Sequence, residues 1–474
     1  MCLAGVAGDA GVRMVRSSLG SDALADFYTG TVSRFLFPLH ERMKGHNSVA
    51  VRIGLEASQW WGAEQLAAVR LHRLRLLLER AYRQVPYYRR IMAARGITPD
   101  SITTLADIDA LPFLTKPDIR AQSEALKARD AGRLTRLNTG GSSGEPLIFF
   151  VGRERISHDV AAKWRATRWW GVDIGDPEIV IWGSPLELSS QDRVRELRDR
   201  LLRTRLLPAF SMSTGNLDHF IRAIRSRRPR MLFGYPSSLA LIARYARSSG
   251  QRMDDLGIRV AFVTAERLYE DQCAAIERTF GCPVANGYGG RDAGFIAHQC
   301  PRGGLHISAE DLLVEIVDPQ GRVLPEGQAG EIVVTHFATG DFPFIRYRTG
   351  DIGVLGPPDC PCGRGLPVLR EVQGRATDFV VAQDGTVMHG LALIYVIRDV
   401  GGIERFQIIQ ESLTRTRVLI EAGAAYSPVG AEAIVAGLKC RLGSGVRIEV
   451  EVVDGIPAER SGKFRYVLSK VGVA

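Results

Sequence analysis

Asn138-Thr-Gly-Gly-Ser-Ser-Gly-Glu-Pro146 is the most telling stretch of this chain. Thr139, Gly140, Gly141, Ser142, Ser143 and Gly144 place three glycines and three hydroxyls in six residues. Glycines let successive backbone N–H groups turn inward as an anion-binding nest. Ser142 and Ser143 add donors to phosphate oxygens. No Gly-Lys-Ser/Thr closes the stretch, so it is not a Walker loop. Alone, it reads more readily as an ordinary flexible turn.

Three later segments change that balance. Tyr288-Gly-Gly-Arg-Asp292 follows an expected strand, Val284-Ala-Asn286. Tyr288 can stack on a base, Arg291 can neutralise a phosphate or a substrate carboxylate, and Asp292 can hold Mg2+. Tyr347-Arg-Thr-Gly-Asp351 sets a carboxylate behind a glycine turn, suited to ribose hydroxyls. Pro457-Ala-Glu-Arg-Ser-Gly-Lys463 carries an amine on a long stem. That amine can meet charge developing between a carboxylate and an α-phosphate. Each segment has a plainer reading: a turn with a surface ion pair, a turn between strands, a solvated lysine. In this order they read as machinery that splits ATP into AMP and pyrophosphate to activate an acid.

The 474 residues are 45% hydrophobic and 24% charged, ordinary for a globular chain with more than one domain. No apolar run approaches the roughly 20 residues that span a bilayer. Met1 to Gly20 holds no sustained apolar segment, so a cytoplasmic location is expected. The net charge of +9 comes from dispersed arginines. Nucleotide and CoA-like substrates, or simply a solvated basic surface, account for it. No zinc-finger, homeodomain or RNA-recognition signature points to nucleic acid. The seven cysteines, an odd number, argue against a disulfide framework.

Residues 1–50 are mixed in character. Ala67, Leu71, Leu74, Leu78 and Ala81 recur at steps of four and three, predicting a helix that Pro86-Tyr-Tyr88 ends. Short apolar strands then alternate with helices: Glu178–Trp182, Met231–Phe233, Ser237–Arg247, Val260–Val263, Tyr269–Phe280. This predicts sheets flanked by helices. Leu312–Val317 and Glu331–Thr335 read as antiparallel strands joined by glycine turns. Beyond Gly374, strands at Phe406–Ile409, Val418–Ile420 and Val446–Val452 and a helix over Val429–Leu442 predict a small α+β domain.

These segments resemble the adenylate-forming superfamily of acyl-CoA synthetases and peptide-synthetase adenylation domains. Within it the chain is most similar to the phenylacetate–CoA ligase, CapK and coenzyme F390 synthetase group. The resemblance rests on Trp60, Val85–Tyr88, Leu111–Lys116, Thr139–Pro146, Gly234–Ser238, Thr264–Glu266, Tyr288–His298, Arg346–Asp351, Gly374-Arg375, Phe406-Gln407 and Lys463. It implies an α/β fold: a large adenylate-forming domain over 1–373, with β-sheets flanked by helices plus a small β subdomain, and a mobile α+β lid over 374–474. It also implies roles. Thr139 to Gly144 would hold the β- and γ-phosphates. Ala265, Glu266, Asn286, Gly287 and Tyr288 would line the adenine pocket. Asp292 stands where the family has a metal-binding Glu. Asp351 would bind ribose, Arg375 would support it at the hinge, and Lys463 would promote adenylation. Three positions depart from the pattern: Leu147 replaces a common lysine, Asp292 is one methylene short, and Thr377 replaces the acidic hinge residue.

Cys300-x5-His306 and Cys360-x-Cys362 supply a Cys3His ligand set, typical of closed structural zinc. Some relatives in the group carry such a site. The expected partners are ATP with Mg2+, a small carboxylic acid and CoA as acyl acceptor. An amine acceptor and adenylyl transfer stay open within the class. Outside enzymology, the alternative is a basic protein keeping a degenerate nucleotide fold. Trp164, Trp169, Trp170, Phe210, Phe233 and Tyr235 favour an aryl acid. A homodimer stays open.

Overall fold

The computed structural model describes residues 26–139, 147–182, 193–209, 212, 216–357, 359–375, 379–457 and 464–471. The mixed reading of the first fifty residues is corrected from residue 26 onward. A π-helical turn over Val32–Leu36 runs into α1 (Phe37–Met43), and α2 (Ser48–Ser58) follows. α3 (Ala63–Gln84) is the helix expected from periodicity. Leu74, Leu78 and Ala81 are buried on it as expected, but Ala67 is exposed and Leu66 takes its place in the core. The helix stops at Gln84, ahead of Pro86 as expected, but a new helix starts at once. Val85 is extended, as a residue before proline should be, and Pro86 opens α4 (Pro86–Ala94) at N1.

α5 (Lys116–Ala121) precedes a short antiparallel pair, β1 (Thr135–Asn138) and β2 (Ile148–Val151), then α6 (Arg153–Arg168). An alternating region follows: β3 (Glu178–Trp182), α7 (Arg193–Leu201), β4 (Thr204–Pro208), α8 (Leu217–Arg227), β5 (Met231–Gly234), α9 (Pro236–Ser248), β6 (Val260–Thr264), α10 (Glu270–Phe280) and β7 (Val284–Gly290). Its strands pair in parallel in the order β4-β3-β5-β6-β7. Every residue of β5 and β6 is buried, as expected of strands covered on both faces. Phe220, Ile224, Leu239 and Ile276 fill the core on one face with α8, α9 and α10. Ala166 of α6 packs on the other with Phe233 and Phe262.

The sheet continues antiparallel through β8 (Gly294–Gln299), β9 (Leu305–Ile307), β10 (Leu312–Val317), β11 (Ala329–His336), β12 (Tyr347–Gly356) and β13 (Val368–Arg375). Among the described residues it has eleven strands, in the order β10-β11-β12-β13-β9-β8-β7-β6-β5-β3-β4. The antiparallel part is thus continuous with the parallel part, and β13 carries it through Gly374-Arg375. After a hairpin of β14 (Phe379–Val381) and β15 (Val387–His389), α11 (Leu391–Arg398) leads into a second sheet. That sheet pairs β16 (Ile403–Ser412), β17 (Arg415–Ala422), β18 (Arg447–Val452) and β19 (Val467–Ser469) in the order β18-β17-β16-β19. α12 (Pro428–Leu442) and α11 cover it through Ile434, Leu438, Leu393 and Ile397.

The small unit docks on the start of α10. Arg398 pairs with Asp271 at 2.7 Å, and Tyr466 meets Tyr269 edge-on at 5.5 Å. The Phe464 amide donates to Glu266 Oε1 at 2.8 Å.

Arg346 anchors β12 to the N-terminal helices. It is 3% exposed and sits in the left-handed backbone region at φ 49°. Its guanidinium donates to both oxygens of buried Glu315 at 3.2 and 2.9 Å. It also reaches the carbonyls of Asp109 and Leu111, each at 2.8 Å, and lies over the Phe113 ring. The Leu114 amide donates to the Arg346 carbonyl, and the Arg348 amide to that of Leu114. Removing one partner leaves a buried charge uncompensated, which costs about 3–5 kcal/mol. Burial already pushes the Glu315 carboxyl above its usual range. Arg346→Met should therefore lose about 3–5 kcal/mol in urea unfolding, with Glu315→Gln on the same chain recovering part of it. A loss below about 1 kcal/mol would mean that the pair does not anchor the strand.

Candidate active site

A cavity of about 870 Å3 opens at the C-terminal ends of β3, β5, β6 and β7, and Phe464, Arg465 and Tyr466 of the small unit line one side of it. Chain connections part between β3 and β5, since β4 continues outward from β3 while β5 returns to its inner edge. A crevice outside the strand ends at such a point is where α/β sheets bind ligands.

One wall comes from two of the segments singled out above, through reciprocal hydrogen bonds. The Tyr288 hydroxyl donates to Asp351 Oδ2 at 2.9 Å, and the Tyr347 hydroxyl donates to Asp292 Oδ2 at 2.6 Å. Each tyrosine serves the other segment's carboxylate. Burial, and then the Asp351 carboxylate, push the Tyr288 phenol well above its ordinary value, so it stays a donor. The turn expected after the strand comes later than Tyr288: β7 runs to Gly290 and pairs back with β8. At Gly289 a β-carbon would lie 2.3 Å from the Gly294 carbonyl oxygen, so only glycine permits this crossing. Arg291 Nη1 donates to the Asn138 carbonyl at 3.3 Å, tying the turn to the strand that enters the glycine-serine stretch. Burial lowers the Arg291 pKa.

Thr139 lines the cavity, and its hydroxyl accepts from the Leu147 amide at 3.0 Å. Leu147 is buried in the main core. Gly140, Gly141, Ser142, Ser143 and Gly144 lie outside the described residues, as do Thr377 and Lys463. Phe464, next to Lys463, lines the cavity that Thr139 lines. Ala265 adopts φ 71°, a conformation costing about 1–2 kcal/mol for a residue with a β-carbon. Glu266, which follows it, joins two units: Oε2 accepts from the Ser237 amide at the start of α9 and Oε1 from the Phe464 amide. Asn286 and Gly287 line the floor, the Asn286 amide donating to Gln299 Oε1 at 2.9 Å. Asp351 stands opposite Arg375 in the β12–β13 register.

The far end of the cavity is aromatic. Trp182 stacks on Tyr235 at 4.4 Å and tilts against Phe233 at 5.8 Å. The Lys163 ammonium of α6 lies 4.1 Å from the Phe233 ring centre. The expected aromatic set is corrected here. Phe233 and Tyr235 line the cavity, but Trp164 packs edge-on against Phe37, and Trp169 and Trp170 bond Gln59 and the Gln299 carbonyl. Phe210 lies outside the described residues. Trp182 and Lys163 went unforeseen. Trp182 ends a strand that reads as continuous core, and no local pattern marks its last residue as a wall.

Comparison with known proteins agrees with this geometry. A family model of AMP-binding enzymes matches residues 205–339, and a model of the CapK C-terminal domain matches residues 380–470. Protein CapK of Staphylococcus aureus is 24% identical over 396 residues, covering 81% of this chain and 85% of its own. Both family models and this relative support the adenylate-forming superfamily. A phenylacetate-coenzyme A ligase of Pseudomonas putida is 29% identical over 341 residues, covering 70% of this chain and 75% of its own. The adenylate-forming fold is also that of a 2-hydroxyisobutyryl-CoA ligase solved in a postadenylation state, with a TM-score of 0.70 at 21% identity over 87% of this chain and 91% of that one. The same ligase in its thioesterification state gives 0.58 over the same share of this chain.

A second cluster lies beside this cavity. Cys300, His306, Cys360 and Cys362 bring their ligand atoms within 4.8 Å of one another. The Cys300 and Cys360 sulfurs are 3.6 Å apart, and His306 Nε2 is 3.1 Å from the Cys362 sulfur. A tetrahedral ion with about 2.3 Å bonds to sulfur and 2.0–2.1 Å to nitrogen spaces its ligands in this way. His306 Nδ1 faces the Leu366 carbonyl at 3.1 Å, which turns the lone pair of Nε2 toward the thiols. A β-carbon at Gly304 would meet the Cys360 sulfur at 2.6 Å. The donor set and geometry fit zinc. His298 takes no part; burial lowers its pKa to about 3 and keeps it neutral. The cluster clips the turn between β8 and β9 to the loop before β13, and the Gly365 amide extends the clip to the Gln59 carbonyl. The purified chain should release stoichiometric Zn2+ on thiol modification. Cys360→Ser should abolish that release and lower Tm by roughly 10 °C. Equal metal content in wild type and variant would rule the assignment out.

Proposed function

We propose that this chain uses ATP to activate a carboxylic acid as an acyl-adenylate, releasing pyrophosphate, and passes the acyl group to CoA. The observation that carries this reading is the convergence of Asp351, Asp292, Thr139, Glu266 and Phe464 on one cavity. In the reaction, a carboxylate oxygen of the acid attacks the α-phosphorus of ATP and the bond to the β-phosphate oxygen breaks. The CoA thiolate then attacks the acyl carbon and AMP departs with the bonding pair. AMP leaves readily because its phosphate is a weak base, with a second pKa of about 6.

Each group would do what its chemistry allows. Asp351, held by Tyr288, would accept from the ribose hydroxyls. Ala265, Glu266, Asn286 and Gly287 would bound the adenine. Thr139 and the glycine-serine stretch would donate to the phosphate tail, and Arg291 would balance its charge. Lys463 would bring an ammonium to the bridging oxygens, and Arg375 would support Asp351 from the neighbouring strand. Asp292 fits a Mg2+ site, since Mg2+ is commonly held by one or two carboxylates plus substrate phosphates. Its Oδ2 spends one lone pair on Tyr347 and keeps the other. When bound, Mg2+ would neutralise charge on the phosphates. The aromatic end formed by Trp182, Phe233 and Tyr235 suits an aryl or arylacetic acid.

Acid-dependent pyrophosphate exchange across a panel of carboxylic acids, repeated with CoA, tests this reading. Exchange should occur with aryl acids, and thioester should appear only when CoA is added. Exchange without thioester would point to another acceptor such as an amine; no exchange with any acid would overturn the reading. Lys463→Ala should slow exchange by roughly 10²–10³-fold while ATP still binds. Asp351→Asn should instead weaken ATP binding by about 10–100-fold, measured by calorimetry.

A further inference from the structure

The first helical segment carries an apolar stripe that nothing in the described fold covers. Phe35, Leu39 and Met43 follow one another at steps of four, so they share one face. They are 68%, 58% and 81% exposed, and Phe27 one turn-pair earlier is 75% exposed. α7 extends this face with Leu197 and Leu201, 60% and 47% exposed. The two helices are neighbours: the Tyr28 hydroxyl donates to the Leu201 carbonyl at 2.8 Å, and Arg203 lies over the Tyr28 ring. Burial, and then the cations Lys44 and Arg198, hold His40 below its ordinary pKa, which places the middle of α7 beside α1.

The rim of this face is cationic. Arg34, Arg42 and Arg200 are exposed and form no ion pair among the described residues. The nearby acids are already engaged: Asp26 with Arg230, Asp199 with Arg198, and buried Glu41 with Ser48 and His46. Large apolar side chains projecting from helices that lie flat, with arginines beside them, are what an interfacial membrane helix presents. We propose that this face seats the enzyme on an anionic lipid surface, the apolar stripe entering the acyl boundary and the arginines meeting headgroup phosphates. A second copy is the poorer occupant. A twofold interface would set this patch against itself and bring arginine rim against arginine rim. Attachment of this kind is peripheral, consistent with the lack of any described helix long and apolar enough to cross a membrane.

Flotation of the full chain with vesicles of equimolar phosphatidylglycerol and phosphatidylcholine, against pure phosphatidylcholine, tests the proposal. The chain should float with the anionic vesicles only, and less so at raised salt. Phe35→Ser/Leu39→Ser/Met43→Ser should cut the bound fraction at least about tenfold while leaving Tm unchanged, since these side chains are already in water. Arg34→Glu/Arg42→Glu should remove the preference for anionic vesicles. No flotation of the full chain, or undiminished flotation of the triple serine variant, overturns the proposal. So does a dimer, seen by light scattering, that the serine variant dissolves while vesicles go unbound: that outcome gives the face to a second copy.

Discussion

The site depends on a reciprocal exchange of hydrogen bonds between two strands far apart in the chain. Tyr288 of β7 holds Asp351 of β12, and Tyr347 of β12 holds Asp292 just beyond β7. Asp292 also accepts from the Ala293 amide of its own segment at 3.1 Å, but each carboxylate is tied across to the other segment by a phenol. Both sit in a wall where an unsupported carboxylate would turn to water or pair with the nearest arginine. The buried phenols give each acceptor a fixed direction without neutralising its charge, which a cationic partner would do. That leaves the remaining lone pairs for a ribose and a metal ion in the proposed reaction.

This exchange needs β12 to be held in place, and Arg346 does so from the residue before Tyr347. The arginine spends four donors on Glu315 and on two carbonyls of the segment leading to Leu114, which ties that segment, β10 and β12 together. The Cys3His cluster performs a similar service on the neighbouring strands. With an ion bound it would fix the β8–β9 turn to the loop entering β13, and β13 is the strand beside β12. The wall is thus held on both flanks, and the small domain meets it through polar contacts at Glu266 and Asp271 and the packing of Tyr269 on Tyr466.

The lipid-facing proposal and the ligase proposal occupy different parts of the molecule. The stripe on α1 and α7 lies at the edge of the sheet where β4 ends it, and the wall of Tyr288, Asp292, Tyr347 and Asp351 lies on the opposite side of β5. A membrane-seated enzyme of this form would keep its cavity and its lid free. It would also bring activated acid close to any acceptor embedded in the bilayer.

What the sequence by itself determined is local. Alternating apolar runs and capped periodic segments marked β5, β6, α9, α10 and α12 to within a residue or two, because strands buried on both faces and amphipathic helices obey short-range rules. Glycine, hydroxyl and carboxylate spacing named Asp351, Asp292 and Tyr288, and four ligating residues suggested the metal cluster. What only the tertiary structure decided is pairing at a distance. That the Tyr288 hydroxyl meets Asp351, that Trp182 and not Trp164 faces the cavity, and that Arg165 is buried at 1% exposure against Glu310 cannot be read from spacing. An arginine's place in a chain does not reveal whether a carboxylate 145 positions away will come to meet it. Local propensity acts over a few residues, while the burial of a charge depends on what the completed fold sets opposite it.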